Sequence, residues 1–192
     1  MIGGLLLTGG ASRRLGFDKA ELRLGGERLA DRGARVLRDV CDPVLEVGPG
    51  RSPLHVVDEP SPGEGPLVAL VAGAQVLRRT GGDGSVLLLA VDLPFAESSL
   101  LAWLASHPAD GSVVPTDAAG EPQPCCARYS VDALATAASL VATGKRSLRA
   151  LLEATPTELV GPDQWRQVAE PNALDDADTP EDVARLGLTA PG

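Results

Sequence analysis

The residue types that can do chemistry gather in a few short stretches of this chain. The first is Leu7-Thr8-Gly9-Gly10-Ala11-Ser12-Arg13-Arg14-Leu15-Gly16-Phe17-Asp18-Lys19. Glycines let a backbone approach a ligand closely and turn its N–H groups inward. Two Arg and a Lys then supply charge for phosphate oxygens. The charge is local: residues 1–28 carry five basic and three acidic side chains, the remainder 12 basic and 23 acidic. Of 17 basic residues only Lys19 and Lys145 are Lys, so both draw attention as positions that keep a compact ammonium in an Arg-rich chain. Two familiar phosphate loops do not fit. There is no GxxxxGK[ST], and Gly9, Gly10 and Gly16 do not make GxGxxG. The bland alternative is a surface turn with solvated Arg.

Four further stretches stand out. Asp92 follows the apolar run Ser85 to Val91 directly. A carboxylate there is costly unless it faces a cleft, a metal or a partner, and Mg²⁺ is typically held by one or two carboxylates plus substrate phosphates. Asp58-Glu59-Pro60 with Gly63-Glu64-Gly65-Pro66 is a polar turn in which Asp58 could meet a base or ribose. Asp175-Asp176-Ala177-Asp178-Thr179-Pro180 reads either as a decorated helix cap or as the source of a second carboxylate for Mg²⁺, with Asp178 the candidate. Lys145, Arg146 and Arg149 form a basic turn opening a helix, suited to the phosphate of an acceptor or simply to solvent. Cys125 and Cys126 are adjacent, so in a strand they point to opposite faces. They read as core or wall residues rather than metal ligands. His55 and His107 receive no role.

These stretches need a frame. Gly4 to Thr8 reads as a buried strand closing on glycines. Helical spacing runs from Ala30 to Cys41. Val44 to Gly48 and His55 to Val57 read as strands. Pro66 suits a helix start, and Ser85 to Val91 reads as a central parallel strand. A helix is expected over residues 97–106, strands over 112–115 and 124–129, and helices over 131–142 and 147–154. A last helix opens at Thr179-Pro180 with a capping Thr and acids beside it. Alternating strands and helices argue for βαβ units and a parallel sheet. Ligands of such sheets bind beyond the carboxyl ends of the strands, where the loops after Thr8, Val57 and Val91 would open together.

Composition narrows the rest. The length of 192 residues suits one domain over 1–192. A net charge of −9 disfavours non-specific nucleic-acid or anionic-membrane binding. Aromatics at 3% leave no stacking surface for single strands. No apolar run approaches the ~20 residues of a membrane helix, and the apolar start lacks the basic flank and cleavage site of a signal peptide. Three cysteines do not make a disulfide framework. A cytoplasmic location is the default expectation.

The segment from Leu7 to Lys19 resembles the L-A-G-G-x-S-x-R-M-G-x-D-K signature of the molybdenum cofactor guanylyltransferase family, within the nucleotide-diphospho-sugar-transferase-like nucleotidyltransferases. Gly63-Glu64-Gly65-Pro66-Leu67 resembles P-G-x-G-P-L. Leu89-Ala90-Val91-Asp92-Leu93-Pro94-Phe95 resembles A-x-D-[ML]-P-F. Asp176-Ala177-Asp178-Thr179-Pro180-Glu181-Asp182 resembles N-x-N-T-P-E-[DE]. The four stretches occur in order over nearly the whole chain. The resemblance implies a single Rossmann-like, three-layer α/β domain with a mostly parallel, mixed sheet. It implies Mg²⁺-dependent transfer of GMP from GTP to the phosphate of molybdopterin, releasing pyrophosphate. It would place Leu7, Thr8, Gly9 and Gly10 on the base and phosphates, Arg14 and Lys19 on the phosphates, Asp58 on the nucleoside and Asp92 on Mg²⁺. Lys19, Arg14 and Asp92 would be the catalytic set. Gly9-Gly10 is the guanylyl-type pattern; cytidylyl relatives usually read A-A-G there.

The chain departs from the family pattern twice. Thr8 replaces Ala and adds a hydroxyl at the expected base pocket. Asp176 and Asp178 replace paired Asn, as in related cytidylyltransferases and phospholactate guanylyltransferases. The competing expectations are therefore a CTP-dependent enzyme, or one acting on another phosphorylated acceptor. From a different class comes a non-catalytic nucleotide-binding adaptor in molybdoenzyme maturation, which loss of Lys19 or Asp92 would signal. Partners are an NTP and a molybdopterin-type acceptor, with transient contact to molybdoenzymes or other cofactor-synthesis proteins, and neither nucleic acid nor membrane.

Overall fold

The computed structural model describes residues 2–9, 15–58, 63–80 and 84–191. Its frame is a seven-stranded sheet in the order β5-β4-β1-β6-β8-β7-β9. The strands are β1 (Gly3–Leu7), β4 (Val44–Val47), β5 (His55–Val57), β6 (Val86–Ala90), β7 (Ser112–Pro115), β8 (Cys126–Tyr129) and β9 (Thr157–Val160). β4, β1 and β6 lie side by side in parallel, with β5 parallel to β4. Only β8 runs against its neighbours. The sheet is therefore mixed and mostly parallel, as the alternation of strand and helix patterns requires. A small antiparallel pair, β2 (Arg23–Leu24) and β3 (Glu27–Arg28), stands apart. That pair, β9 and a short α6 (Pro162–Trp165) lie where the sequence pattern predicts no element.

Helices cover both faces, and the pleat decides which residue serves which. Leu5, Leu7, Leu45, Val47 and Leu88 point to the layer of α2 (Pro66–Arg79), α4 (Val131–Ala142) and α5 (Leu148–Ala154). Leu6, Leu87 and Leu89 point to the layer of α1 (Leu29–Arg38), α3 (Ser98–Ser106) and α6. Strands apolar on both sides are what a sheet sandwiched between helices requires. The helices lie close. A Cβ on Gly73 of α2 would sit 2.6 Å from the Leu5 methyls, and one on Gly33 of α1 2.7 Å from a Leu6 methyl. A third apolar cluster, with Ala20, Leu22, Val91, Ala177 and Leu186, packs beyond the carboxyl edge of the sheet. There Thr179 caps α7 (Pro180–Arg185): its hydroxyl accepts from the Asp182 N–H, while Asp182 accepts from the Thr179 N–H. Among the described residues no helix is long and apolar enough to cross a membrane.

Arg128 is a charged residue inside this frame, only 8% exposed on β8. Its guanidinium donates to the carbonyls of His107 (2.8 Å), Ala109 (2.6 Å) and Gly111 (3.2 Å), stapling the α3–β7 connection. Burial pulls its pKa below the ordinary Arg value, partly offset by Glu158; a guanidinium nonetheless keeps its proton in proteins. Arg128→Met leaves half-buried carbonyls without their donor and should lower stability by about 1–3 kcal/mol. The urea midpoint measures this; an unchanged midpoint would show that the staple contributes nothing.

Candidate active site

β1, β5 and β6 end on one edge, so their exits converge. The Val91 N–H donates to the Leu7 carbonyl at 3.0 Å and the Thr8 N–H to the Val47 carbonyl at 3.2 Å. Asp92 follows immediately. Its own carbonyl accepts from the Ala177 N–H at 3.0 Å, which draws the 175–178 segment to the same edge. Lys19 opens a single 3-10 turn, Lys19–Glu21, capped by Asp18, whose carboxylate accepts from the Ala20 N–H at 3.0 Å.

Lys19 Nζ donates to Asp92 Oδ2 at 2.9 Å and also to Asp178 Oδ1. Burial pulls the ammonium down, but Asp92 and Asp178 outweigh it and hold its pKa above the ordinary Lys value. The pKa of Asp176 is raised, by partial desolvation first and then by the carboxylates of Asp178 and Asp92. Three acids and one ammonium thus share a small volume. Asp92 and Asp178 converge on one cation, and carboxylate oxygens are the donors a hard divalent ion prefers. Among the described residues no three His, Cys, Asp or Glu side chains form a ready-made cage. Burial pushes the Cys125 and Cys126 thiols up to about 12, so they serve as neutral wall and core residues, on opposite faces of the sheet.

Leu7 is buried at the end of β1, and Gly9 is exposed just beyond it. Gly10 and Arg14 lie outside the described residues. Asp58 is exposed, one residue past β5 on the same edge. Arg146 is paired with Glu64 at 3.2 Å and Arg149 with Glu121 at 2.8 Å, while Lys145 is exposed. The Arg146 carbonyl accepts from the Leu67 N–H at 3.2 Å, so the basic turn packs on the Gly63–Pro66 segment. Gly65 permits this: at φ +110° a Cβ there would lie 2.8 Å from that carbonyl oxygen.

The Thr8 hydroxyl, expected at the base pocket, donates to Glu46, inside the protein. Glu46 is fully buried. It also accepts from the N–H groups of Gly50 (2.9 Å), Arg51 (2.7 Å) and Ser52 (2.7 Å) and from the Ser52 hydroxyl (2.6 Å). Arg51 Nε in turn donates to Asp18 Oδ2 at 2.7 Å. Sequence reasoning passes over Glu46 and Arg51. The available signal is a charged residue inside Val-Leu-Glu-Val, since such a carboxylate must find donors.

Burial alone would raise the Glu46 pKa, but its hydrogen bonds outweigh burial and hold it below the ordinary Glu value. A depressed carboxylate stabilises the fold fully above its unfolded-state pKa, and that stability fades as pH falls through the lower folded value. Glu46→Gln should cost about 2–4 kcal/mol at pH 7. The gap to wild type should stay constant down to about pH 4.3, the ordinary Glu value, and narrow below it. Urea unfolding across pH 3–7 tests this; a gap that widens toward acid would contradict it.

Residues 4–159 match the family model of the MobA-like NTP transferase domain. A probable molybdenum cofactor guanylyltransferase of Chloroflexus aggregans is 34% identical, the alignment covering 98% of this chain and 97% of the relative. One of Opitutus terrae is 35% identical over 88% of this chain and 85% of the relative. The solved structure of molybdopterin-guanine dinucleotide biosynthesis protein A from Archaeoglobus fulgidus superposes with a TM-score of 0.76 at 23% identity, covering 96% of each chain. A 2-C-methyl-D-erythritol 4-phosphate cytidylyltransferase from Thermus thermophilus superposes at 0.64 with 18% identity, over 97% of each. The chain belongs to the MobA-like NTP transferase family and has the nucleotide-diphospho-sugar transferase fold. It is a nucleotidyltransferase, of a kind that generally needs a divalent metal.

Proposed function

We propose that this chain transfers GMP from GTP to the phosphate of molybdopterin, releasing pyrophosphate, with residues 1–192 acting as one unit. The observation that carries the reading is the Lys19 ammonium held between Asp92 and Asp178 at the edge where β1 and β6 end. The names of the relatives supply the substrates.

In this reading an acceptor phosphate oxygen attacks the α-phosphorus of GTP. A new P–O bond forms there, and the bond to the oxygen bridging to the β-phosphorus breaks. Pyrophosphate leaves with that electron pair. The attacking oxygen already carries negative charge, so no strong general base is required. The barrier lies in alignment and in charge repulsion between anions. Lys19 supplies positive charge on the nucleotide phosphates, with Arg14 a second cation from the same stretch. Asp92 and Asp178 would hold Mg²⁺, which supplies neutralisation of the α-phosphate and the leaving group. Leu7, Thr8, Gly9 and Gly10 offer backbone to the nucleotide, and Asp58 faces the nucleoside. Thr8 acts here through its backbone, since its hydroxyl serves Glu46. Lys145, with Arg146 and Arg149 beside it, is assigned to the acceptor phosphate. The Asp176 and Asp178 pair keeps CTP or another phosphorylated acceptor as the second reading.

Asp92→Ala should cut turnover at least ~10²-fold, the scale of one major electrostatic stabiliser. Near-normal turnover, followed by pyrophosphate release, would sink the assignment. Base choice is read from thermal stabilisation by GTP, CTP, ATP and UTP, each with and without Mg²⁺. A ligand at 100 times its Kd adds ~2.7 kcal/mol. GTP-selective, Mg²⁺-dependent stabilisation that disappears in Lys19→Ala is expected. Selectivity for CTP would transfer the chain to the cytidylyl reading.

A further inference from the structure

The residues that flank the Gly- and Arg-rich stretch are both tied to one short loop. Residues 48–52 leave β4 and fold back over Glu46. From the first flank, Thr8 donates its hydroxyl to the Glu46 carboxylate, which also gathers the N–H groups of Gly50, Arg51 and Ser52. From the second flank, Asp18 accepts from Arg51 Nε at 2.7 Å through one oxygen and from the Ala20 N–H at 3.0 Å through the other. The loop lies against Thr8 so closely that a Cβ on Gly48 would sit 2.2 Å from the Thr8 hydroxyl oxygen.

We propose that Glu46 and Arg51 are positioning residues for nucleotidyl transfer: Glu46 fixes the 48–52 loop, and Arg51 from that loop fixes Asp18 and so aims Lys19. The inference rests on Lys19 acting on the nucleotide phosphates. A single 3-10 turn has no cooperative stability of its own, so the direction of the Lys19 side chain depends on what anchors the turn. Ala20 is buried and holds one side of the turn; Asp18 is its polar anchor, both the cap of the turn and the partner of Arg51. An ion pair between two free side chains is worth little, since both must be ordered. Here the Arg51 backbone is already ordered by a carboxylate that accepts five hydrogen bonds. The buried charge is thus converted into a fixed position for a guanidinium, and the guanidinium into a fixed position for Lys19.

The test is a double-mutant cycle on the full chain with Arg51→Ala and Lys19→Ala, read as kcat/KM for GTP and as GTP affinity by calorimetry. Arg51 is exposed on its loop, so Arg51→Ala should keep the wild-type thermal midpoint. It should lose about tenfold in kcat/KM, the order of cost of a misaimed group. In the Lys19→Ala background the same substitution should cost nothing more. Arg51→Lys, which keeps a cation for Asp18, should recover most of the loss. Glu46→Gln should reproduce the loss seen in Arg51→Ala together with a lower thermal midpoint. Equal losses with and without Lys19 would overturn the inference, because Arg51 would then act on its own. Full activity in Arg51→Ala would overturn it as well. Full activity in Lys19→Ala is a separate result: it would remove the functional reading, and the inference with it.

Discussion

Two carboxylates brought to one point repel unless a cation stands between them. Asp92 and Asp178 are in that position, and the Lys19 ammonium is the cation. This constraint reaches through the whole molecule because its three members come from distant parts of the chain. Lys19 follows the exit of β1, Asp92 the exit of β6, and Asp178 precedes α7. They meet only because β1 and β6 are parallel neighbours and end together. The apolar cluster with Ala20, Val91 and Ala177 packs directly beneath them, so each charged residue stands beside a buried one. The ion triad sets the electrostatics of the edge, and the apolar cluster keeps its backbone in place.

Much of the frame is legible in the sequence. The run Ser85 to Val91 reads as a strand buried on both faces, and β6 is one. Pro66 after glycines and Thr179 before Pro180 are start signals whose chemistry is local, and both helices begin there. The elements not foreseen lack such signals. β9 is an edge strand whose Glu158 and Leu159 are both exposed, so no apolar alternation marks it. β2 and β3 have two residues each, too few to carry a period. The same division holds for the site. Lys19 and Asp92 could be singled out because residue type and adjacent pattern sufficed. Glu46 and Arg51 could not, because they meet Thr8 and Asp18, distant in sequence, only through the 48–52 loop that folds back over Glu46. Nor could the pairing of Arg146 with Glu64 and of Arg149 with Glu121, which depends on where helix ends meet loops.

These pairings answer a difficulty raised by the composition. A chain with a net charge of −9 is built to handle substrates that are themselves polyanions. A bare cluster of Arg and Lys at the edge would hold any anion, inorganic phosphate included. Instead Lys19, Arg51, Arg146 and Arg149 each have a carboxylate partner. A phosphate approaching one of these four must therefore compete with that carboxylate. A lone phosphate gains little from such an exchange. A ligand that also makes contacts elsewhere can offset the cost of displacing a carboxylate at one point. The paired acids thus temper charge attraction, which by itself is indiscriminate.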